Sequence, residues 1–317
     1  MSNPKNIYHM IDTLNLQLDQ SQYDYKHIKQ IFEAKMEFKA ATKFKNGSST
    51  TVHYKNYKFT LSEKNLTATG SLTKLYYGNN IQNLNYLQVQ QALQQFETLF
   101  EIPFDNAKIK RIDMACNIPV DNPVNMYFDI LTTPDHYKLR LYEGETKCFE
   151  SSKNKLNFYD KVAEVRKKDR ASYEVYKNQH TLKYEVSFTK NLVANLSLHD
   201  LTMKNLYDPN IYKNLLDKWQ QGYQKIPKLT KMLPSQLNHD TLGSFQQSLI
   251  VEGMRSLGGR EVLNMAINEA EIRKSVKFRI KNYLAEIHEV EALSPILQHE
   301  LDMKIDAIYN NELLLLD

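Results

Sequence analysis

Three segments of the sequence alternate apolar and polar residues with a period of two, the pattern of a strand with one buried face. They are KIKRIDMACNI (108–118), KLNFYDK (155–161) and TLKYEVSF (181–188). In each segment the apolar residues point one way and most of the polar residues point the other. If the three strands are neighbours, Asp113, Tyr159 and Glu185 meet on one polar surface. The pattern therefore favours a sheet with a buried face and a polar face.

The rest of the first two hundred residues mixes further strands with helices. Short strands are predicted between residues 33 and 77, where Asn, Gly and Ser turn signals separate the runs. Helical spacing of apolar residues predicts helices over 85–102 and around 122–132. Residues 1–30 are polar and rich in tyrosine, and we expect an entry segment there. This mixture predicts an α+β fold built on an antiparallel β-sheet with packed helices.

The character of the chain changes after Asn191, where helical periodicity replaces the strand patterns. Pro227 and Pro234, together with several turn formers, indicate a linker. We predict a sheet domain over 1–205, a linker with a connecting helix over 206–243, and a mostly α-helical C-terminal domain over 244–317.

Composition narrows the class of protein. The chain has 317 residues, of which 42% are hydrophobic and 25% charged, as in ordinary globular proteins. Two cysteines predict neither a disulfide framework nor a Cys-based zinc site. The sequence has no apolar run of membrane-spanning length, so we expect a cytoplasmic protein without a membrane partner. It has no phosphate-binding GxxxxGK[ST] loop, which indicates no ATPase of its own.

The polar face has a chemical meaning if its members converge. Two carboxylates at one point can hold Mg²⁺ or Mn²⁺, which prefer oxygen ligands. A phenol, with a pKa of about 10, is a poor nucleophile at neutral pH, but a bound cation and the ammonium of Lys161 would favour attack by Tyr159. Simpler alternatives remain open: Tyr159 as a packing residue, Asp113 paired with Arg111, and Glu185 in a cross-strand salt bridge.

Four segments, taken in order, resemble a known family. They are GSLTKLYYGNN (70–80), KRIDMACN (110–117), LNFYDKVAEV (156–165) and LKYEVSF (182–188). Their order and spacing are similar to those of rolling-circle replication initiators, namely the replication-initiation-factor family of small Gram-positive plasmids and the gene II proteins of filamentous phages.

The resemblance implies an origin-specific DNA nickase and strand transferase with its catalytic centre in the sheet domain. In such enzymes a tyrosine joins the 5′ phosphate and frees a 3′ hydroxyl, with the help of a divalent cation. By position, the resemblance makes Tyr159 the nucleophile with Lys161 beside it. It makes acidic residues the ligands of Mg²⁺ or Mn²⁺: Asp113, Glu185 and, as a third acid, Glu164. Three other tyrosines compete for the role of nucleophile: Tyr173, Tyr176 and Tyr184.

Local charge indicates where DNA would bind. The net charge of the chain, +4, is too small to require a nucleic-acid partner, but residues 147–183 alone carry ten Lys and Arg against five Asp and Glu. The predicted DNA-binding residues of the sheet domain are Arg111, Lys153, Lys155, Arg166, Lys167 and Lys168. A solvated lysine-rich loop is the alternative for the last three of these.

The C-terminal helices carry a second basic segment. Residues 255–281 hold seven basic and three acidic residues, around a Gly-Gly turn between two helical patterns. A helix-turn-helix reader with Arg260, Arg273 and Lys277 on DNA is one interpretation, and a plain helical hairpin is the other. The acidic residues after His288 are better suited to packing or self-association.

The sequence thus supports one main hypothesis of function and two alternatives. The main hypothesis is a metal-dependent tyrosine endonuclease that starts rolling-circle replication at an origin with a hairpin or single-stranded nick site. Under this hypothesis a host helicase unwinds the DNA, and the protein acts either as a monomer or as a homodimer. The first alternative is a non-catalytic, sequence-specific DNA-binding initiator or regulator. The second is a structural phage protein without a nucleic-acid role.

Overall fold

A computed structural model describes most of the chain. The described residues are 10–35, 37–44, 47–79, 82–100, 102–142, 146–168, 170–196, 198–229, 240–256, 259–286 and 293–316. Within these ranges no helix is both long and apolar enough to cross a membrane.

Ten strands in the described part of the chain form one sheet, in the order β2-β3-β4-β5-β1-β6-β10-β9-β8-β7. Every neighbouring pair in this order is antiparallel. The strands are β1 Ile11–Asp19, β2 Glu37–Phe44, β3 Gly47–Tyr54, β4 Tyr57–Ser62, β5 Asn65–Ser71, β6 Lys108–Val120, β7 Lys138–Tyr142, β8 Thr146–Glu150, β9 Asn154–Asp160 and β10 His180–Phe188.

The α-helices lie between and after the strands. They are α1 Tyr25–Lys35, α2 Leu72–Tyr77, α3 Tyr86–Phe100, α4 Val124–Ile130, α5 Lys161–Lys168, α6 Arg170–Tyr176, α7 Leu192–Asn195, α8 Pro209–Gln224, α9 Leu242–Ser256, α10 Gly259–Glu269, α11 Lys274–Glu286 and α12 Leu293–Leu313.

The chain forms two compact units. The first unit comprises residues 1–125, 133–227 and 302–317, and it contains the sheet. Its core lies on the apolar face of the sheet, where Tyr184 of β10 stacks on Phe158 of β9 at 4.6 Å between ring centroids. Trp219 of α8 lies 5.0 Å from Tyr184 on the same side. Since these rings are fully buried, they fix the apolar side of β9 and β10 and leave the other side for polar chemistry.

The second unit comprises residues 126–132 and 228–301. Its described core is small and is formed by Val251, Met254 and Leu284, with partly buried apolar residues of α9, α10 and α11 packed around them. In the remainder of this unit, Tyr127 of α4 donates a hydrogen bond to Glu300 of α12.

The predicted fold class is confirmed: a large antiparallel sheet with packed helices is followed by a mainly helical C-terminal region. The predicted domain limits at 205 and 243 stay a prediction. The entry segment expected over residues 1–30 is wrong for the described part, because β1 lies in the interior of the sheet between β5 and β6; residues 1–9 lie outside the described residues. The predicted strand containing Lys161 ends one residue earlier, at Asp160, and Lys161 begins α5.

Candidate active site

The three strands with a polar face are direct neighbours, in the order β6-β10-β9. Ser187 of β10 lies opposite Asp113 of β6, and Lys183 of β10 lies opposite Tyr159 of β9. Residues directly opposite in an antiparallel pair point to the same face. Glu185 lies between Lys183 and Ser187 on that face, so Asp113, Tyr159 and Glu185 share one surface, as the alternation predicts.

Tyr159 is half-buried at the edge of an open cavity of about 360 Å³. The lining residues of the cavity are Tyr142, Thr146, Asn157, Tyr159, Asp160, Glu164, Lys167 and Lys168. The ammonium of Lys183 lies 5.7 Å from the centroid of the Tyr159 ring, within the range of a cation–π interaction. Burial raises the pKa of Tyr159 well above its ordinary value, and the positive charge of Lys183 acts against that shift.

Lys183 is itself buried, and it is held by a residue of β1. Its ammonium donates to Oδ2 of Asp12, whose Oδ1 accepts a 2.6 Å hydrogen bond from the hydroxyl of Ser71. Burial alone would raise the pKa of Asp12, but the charge of Lys183 lowers it to about 2. The Asp12–Lys183 pair therefore places a fixed positive charge beside the Tyr159 ring.

Asp113 and Glu185 form an acidic pair with an arginine beside it. Asp113 is buried, and Arg111 binds both of its oxygens, with distances of 2.8 Å from Nε to Oδ1 and 2.7 Å from a terminal nitrogen to Oδ2. Burial and the negative charge of Glu185 raise the pKa of Asp113 to about 6. Glu185 accepts hydrogen bonds from Asn157 and Ser187 at 3.0 and 2.9 Å. The ion pair offered as the simpler alternative for Asp113 is thus present.

The acidic pair fits a hard divalent cation in one respect, because two carboxylates held close enough to repel each other are stabilised when a cation lies between them. Mg²⁺ commonly takes only one or two protein carboxylates and keeps several waters. Glu164 does not complete such a set: among the described residues, no group of three or more His, Cys, Asp or Glu side chains is arranged to hold a metal. Of the three predicted metal ligands, Asp113 and Glu185 form the acidic pair, and Glu164 is not part of it.

Glu164 is instead part of an ion-pair chain on α5. Its carboxylate contacts the ammonium groups of Lys161 at 2.7 Å and Lys168 at 2.8 Å. Burial alone would raise the pKa of Glu164, but the two lysines lower it to about 2. Burial, together with the charge of Lys183, lowers the pKa of Lys161 to about 8. The helix starts here because Asp160 accepts a 2.9 Å hydrogen bond from the backbone N–H of Ala163.

Comparisons with known proteins show the family to which the chain belongs. The model of a family described as the N-terminal part of the gene II replication-associated protein matches residues 10–207, more than half of the chain. The chain belongs to this replication-associated protein family. The match includes β1, β6, β9 and β10 and so the whole candidate site, and it confirms the predicted resemblance to rolling-circle replication initiators.

A solved structure is similar to this chain at low identity. It is the rolling circle replication initiator protein from Geobacillus stearothermophilus, which is 11% identical, with a TM-score of 0.38 and a coverage of 78% of this chain and 97% of that one. Among curated proteins no match was found.

Five of the six predicted DNA-binding residues of the sheet unit fall into two groups, and the sixth, Arg111, is bound to Asp113. Lys167 and Lys168 line the cavity of Tyr159, and Arg166 is exposed on the same turn of α5. Lys153 lies in the turn before β9, six residues and therefore about 20 Å along the strand from Tyr159. Lys155 is paired with Glu150 at 2.9 Å. The structure thus brings the α5 lysines to Tyr159 and leaves Lys153 at the far end of the strand.

The competing tyrosines differ in access. Tyr184 is fully buried on the apolar face, where its hydroxyl donates to the backbone oxygen of Trp219 at 3.0 Å. Tyr173 and Tyr176 are half-buried in α6, outside the lining of the cavity. Of the four tyrosines, Tyr159 is the one that shares the polar face with Asp113 and Glu185.

The remaining predicted DNA-binding residues belong to the second unit. Arg260 is the second residue of α10, Arg273 is exposed just before α11, and Lys277 of α11 donates a 2.6 Å hydrogen bond to the backbone oxygen of Asn268. Of the Gly-Gly pair at 258–259, residue 258 lies outside the described residues and Gly259 begins α10.

Proposed function

We propose that this protein nicks one strand of DNA at a replication origin and transfers that strand, with Tyr159 as the nucleophile. The observation that carries the proposal is the position of Tyr159: it lines an open cavity, lies opposite the buried Lys183, and shares a sheet face with Asp113 and Glu185. A family of replication-associated proteins supplies the biological setting.

The proposed reaction conserves the number of phosphodiester bonds. The oxygen of Tyr159 attacks phosphorus, the bond to the 3′ oxygen breaks, and the 5′ phosphate becomes joined to the tyrosine. The phenolic proton leaves to water in the open cavity, and the 3′ oxygen takes a proton from water to become the 3′ hydroxyl. The covalent link stores the bond energy for the later rejoining of the strand.

The charges around Tyr159 suit this step. Lys183 is fixed by Asp12, so its positive charge is already oriented when DNA binds and needs no reorganisation. It stabilises the phenolate as the proton leaves. Lys167 and Lys168 of α5 place positive charge at the cavity, and Glu164 joins Lys168 to the buried Lys161. The two lysines at the cavity would attract the phosphate that Tyr159 attacks.

Asp113 and Glu185 are the proposed ligands of Mg²⁺ or Mn²⁺. When bound, such an ion polarises the scissile phosphate and makes it a better electrophile. Arg111 binds both oxygens of Asp113, and its proposed role is to hold this carboxylate in a fixed position.

The basic residues give the proposal a route for DNA. Lys167 and Lys168 would contact phosphates at the nick site, and Arg260, Arg273 and Lys277 would contact duplex DNA of the origin. Such contacts weaken steeply with salt. We propose a cytoplasmic protein that works with a host helicase. Self-association through the C-terminal region stays a prediction.

The test is nicking of a supercoiled plasmid that carries the replication origin, in the presence of Mg²⁺ or Mn²⁺. We expect the wild-type protein to relax the plasmid and to remain attached to the 5′ end, while Tyr159→Phe binds the origin without nicking it. Tyr173→Phe and Tyr176→Phe are matched controls that should nick normally. If wild type binds the origin but never nicks it, the protein is the non-catalytic initiator instead, and if one of the control variants loses nicking, that tyrosine replaces Tyr159.

A further inference from the structure

Strand β7 is the edge strand of the sheet nearest Tyr159. Its residues alternate between the two faces of the sheet, and none of them has a role in the proposed reaction. All five of its residues are exposed. Tyr142 lies opposite Thr146 of β8, and Thr146 lies opposite Tyr159 of β9. Tyr142 therefore points to the same face as Tyr159, three strands from Lys183 in one row across the sheet.

The cavity confirms this placement, because Tyr142 and Tyr159 are both among its lining residues. Its volume of about 360 Å³ is within the range of small-molecule sites, roughly 300–1,000 Å³. Half of the surface of Tyr142 is exposed. Covering an aromatic ring with a partner removes apolar surface from water, which favours binding.

The rest of the lining is polar and carries both charges: Asp160 caps α5 by accepting from the backbone N–H of Ala163, and Glu164 is paired with Lys168. Thr146 and Asn157 lie on the floor, and Asn157 is oriented by its hydrogen bond to Glu185. Lys167 and Lys168 lie on the α5 side. An aromatic ring beside clustered lysines is the combination that binds single-stranded nucleic acid: the ring stacks on a base, and the lysines neutralise phosphates.

We propose that Tyr142 is a base-stacking platform for an unpaired nucleotide next to the phosphate that Tyr159 attacks. The ligand is single-stranded DNA, with one base on the ring of Tyr142 and its backbone against Lys167 and Lys168. This inference rests on the proposed function for the position of the phosphate, but binding of the base requires no cleavage and is measured separately. A stacking contact accepts every base, so it positions the strand without reading its sequence.

The first measurement is binding of a fluorescent oligothymidylate of about 12 nucleotides, a length typical of single-strand sites, by anisotropy in the presence of a chelator. Tyr142→Phe keeps the ring and should bind like wild type, whereas Tyr142→Ala should bind roughly 5- to 100-fold more weakly, as expected for the loss of one stacked base. Leu141→Ala is the matched control, because Leu141 is exposed on the same strand and points to the opposite face; it should leave binding unchanged.

The second measurement locates the base. An oligothymidylate with 5-iododeoxyuridine couples under ultraviolet light to an aromatic side chain that stacks on the modified base, and mass spectrometry then identifies the residue. We expect the cross-linked peptide to contain Tyr142. Unchanged binding by Tyr142→Ala, a cross-link to a different aromatic residue, or no binding of the oligomer by wild type would each overturn the inference.

The two proposals fail in different ways. If the plasmid is nicked but Tyr142→Ala binds the oligomer like wild type, only the stacking platform is wrong. If Tyr142 is cross-linked but wild type does not nick the origin, the stacking platform stands as a DNA-binding site and the nuclease assignment is wrong.

Discussion

Replacing Asp12 with Asn tests whether the buried ion pair between Asp12 and Lys183 stabilises the folded protein. Lys183 is 3% exposed and Asp12 13% exposed, so the variant leaves a buried ammonium without its counter-ion. The lowering of the pKa of Asp12 from 3.8 to about 2 corresponds to about 2.5 kcal/mol of stability. Removing one partner of a buried pair costs about 3–5 kcal/mol. We therefore expect Asp12→Asn to lower the free energy of unfolding by about 2–5 kcal/mol at pH 7.

The assay is urea denaturation followed by the fluorescence of Trp219, the one tryptophan in the sequence, which lies in the core of the sheet unit. Because the pKa of Asp12 is lowered on folding, its stabilisation is present above pH 4 and is lost as the pH falls toward 2. The difference between wild type and variant should therefore shrink over this range.

Two controls separate the pair from general effects of charge. Asp12→Asn combined with Lys183→Met removes both charges and should recover most of the lost stability, since an apolar replacement of a buried pair is often neutral. Glu174→Gln breaks the exposed pair with Lys177 and should change stability by less than about 1 kcal/mol. If Asp12→Asn is as stable as wild type, or if the double variant is no more stable than the single one, the reasoning is refuted.

Two further substitutions test packing and burial elsewhere in the fold. Burial raises the pKa of Glu312 to about 8, so the contribution of this side chain to stability is full below pH 4.5 and falls as the pH rises to 8. Glu312→Gln should keep the hydrogen bond from Tyr212 and, in urea denaturation at pH 7, be more stable than wild type by on the order of 3 kcal/mol. Equal stability at pH 7 would contradict the buried position of Glu312. A Cβ at Gly222 would lie 2.8 Å from the Tyr184 hydroxyl, so Gly222→Ala should lower the melting temperature, with a loss of about 1–3 kcal/mol of stability. In the control Gly253→Ala the new Cβ meets no atom within 4 Å, so this variant should be neutral or more stable by up to about 1 kcal/mol. Equal effects of the two substitutions would rule out the close packing of α8.

The polar face of the sheet could be predicted from the sequence because strand alternation is local. From Ile112 onward in β6, and along β9 and β10, the large buried apolar residues keep one parity, and the register places Asp113, Tyr159 and Glu185 on the other face. The adjacency of the strands could not be derived from the residues, since pairing depends on the whole sheet. The resemblance to a family rests on the order of these segments along the sequence, which does not show which strands pair.

The role of Asp12 was missed because a bulge breaks the alternation of β1. Leu14, Leu16 and Leu18 point to the buried face, but Ile11 has the opposite parity, and the register with β6 shifts between Ile11 and Thr13. A strict period of two therefore fails at Asp12. The three alternating leucines were nevertheless a signal for a strand in a segment interpreted as an entry segment.

The burial of Lys183 and the shape of the cavity have no local signal either. A lysine on the polar face of a strand is expected to be exposed, but Lys183 is buried, with its ammonium on Asp12 and beside the Tyr159 ring. Strand β7 has five residues, none of them buried, so the alternation of Leu139 and Leu141 with Lys138 and Arg140 is too short to be a strong signal. The start of α5 was predictable in principle, because Asp160 has the side chain of a helix cap.

The most direct test of the central claim is to find the residue that carries DNA after nicking. The covalent complex formed with the origin is digested with nuclease and protease, and the peptide that retains a nucleotide is sequenced by mass spectrometry. The account predicts a 5′-phosphate on Tyr159, within the segment KLNFYDK. A nucleotide on Tyr173, Tyr176 or any other residue, or nicking without a covalent complex, would contradict it.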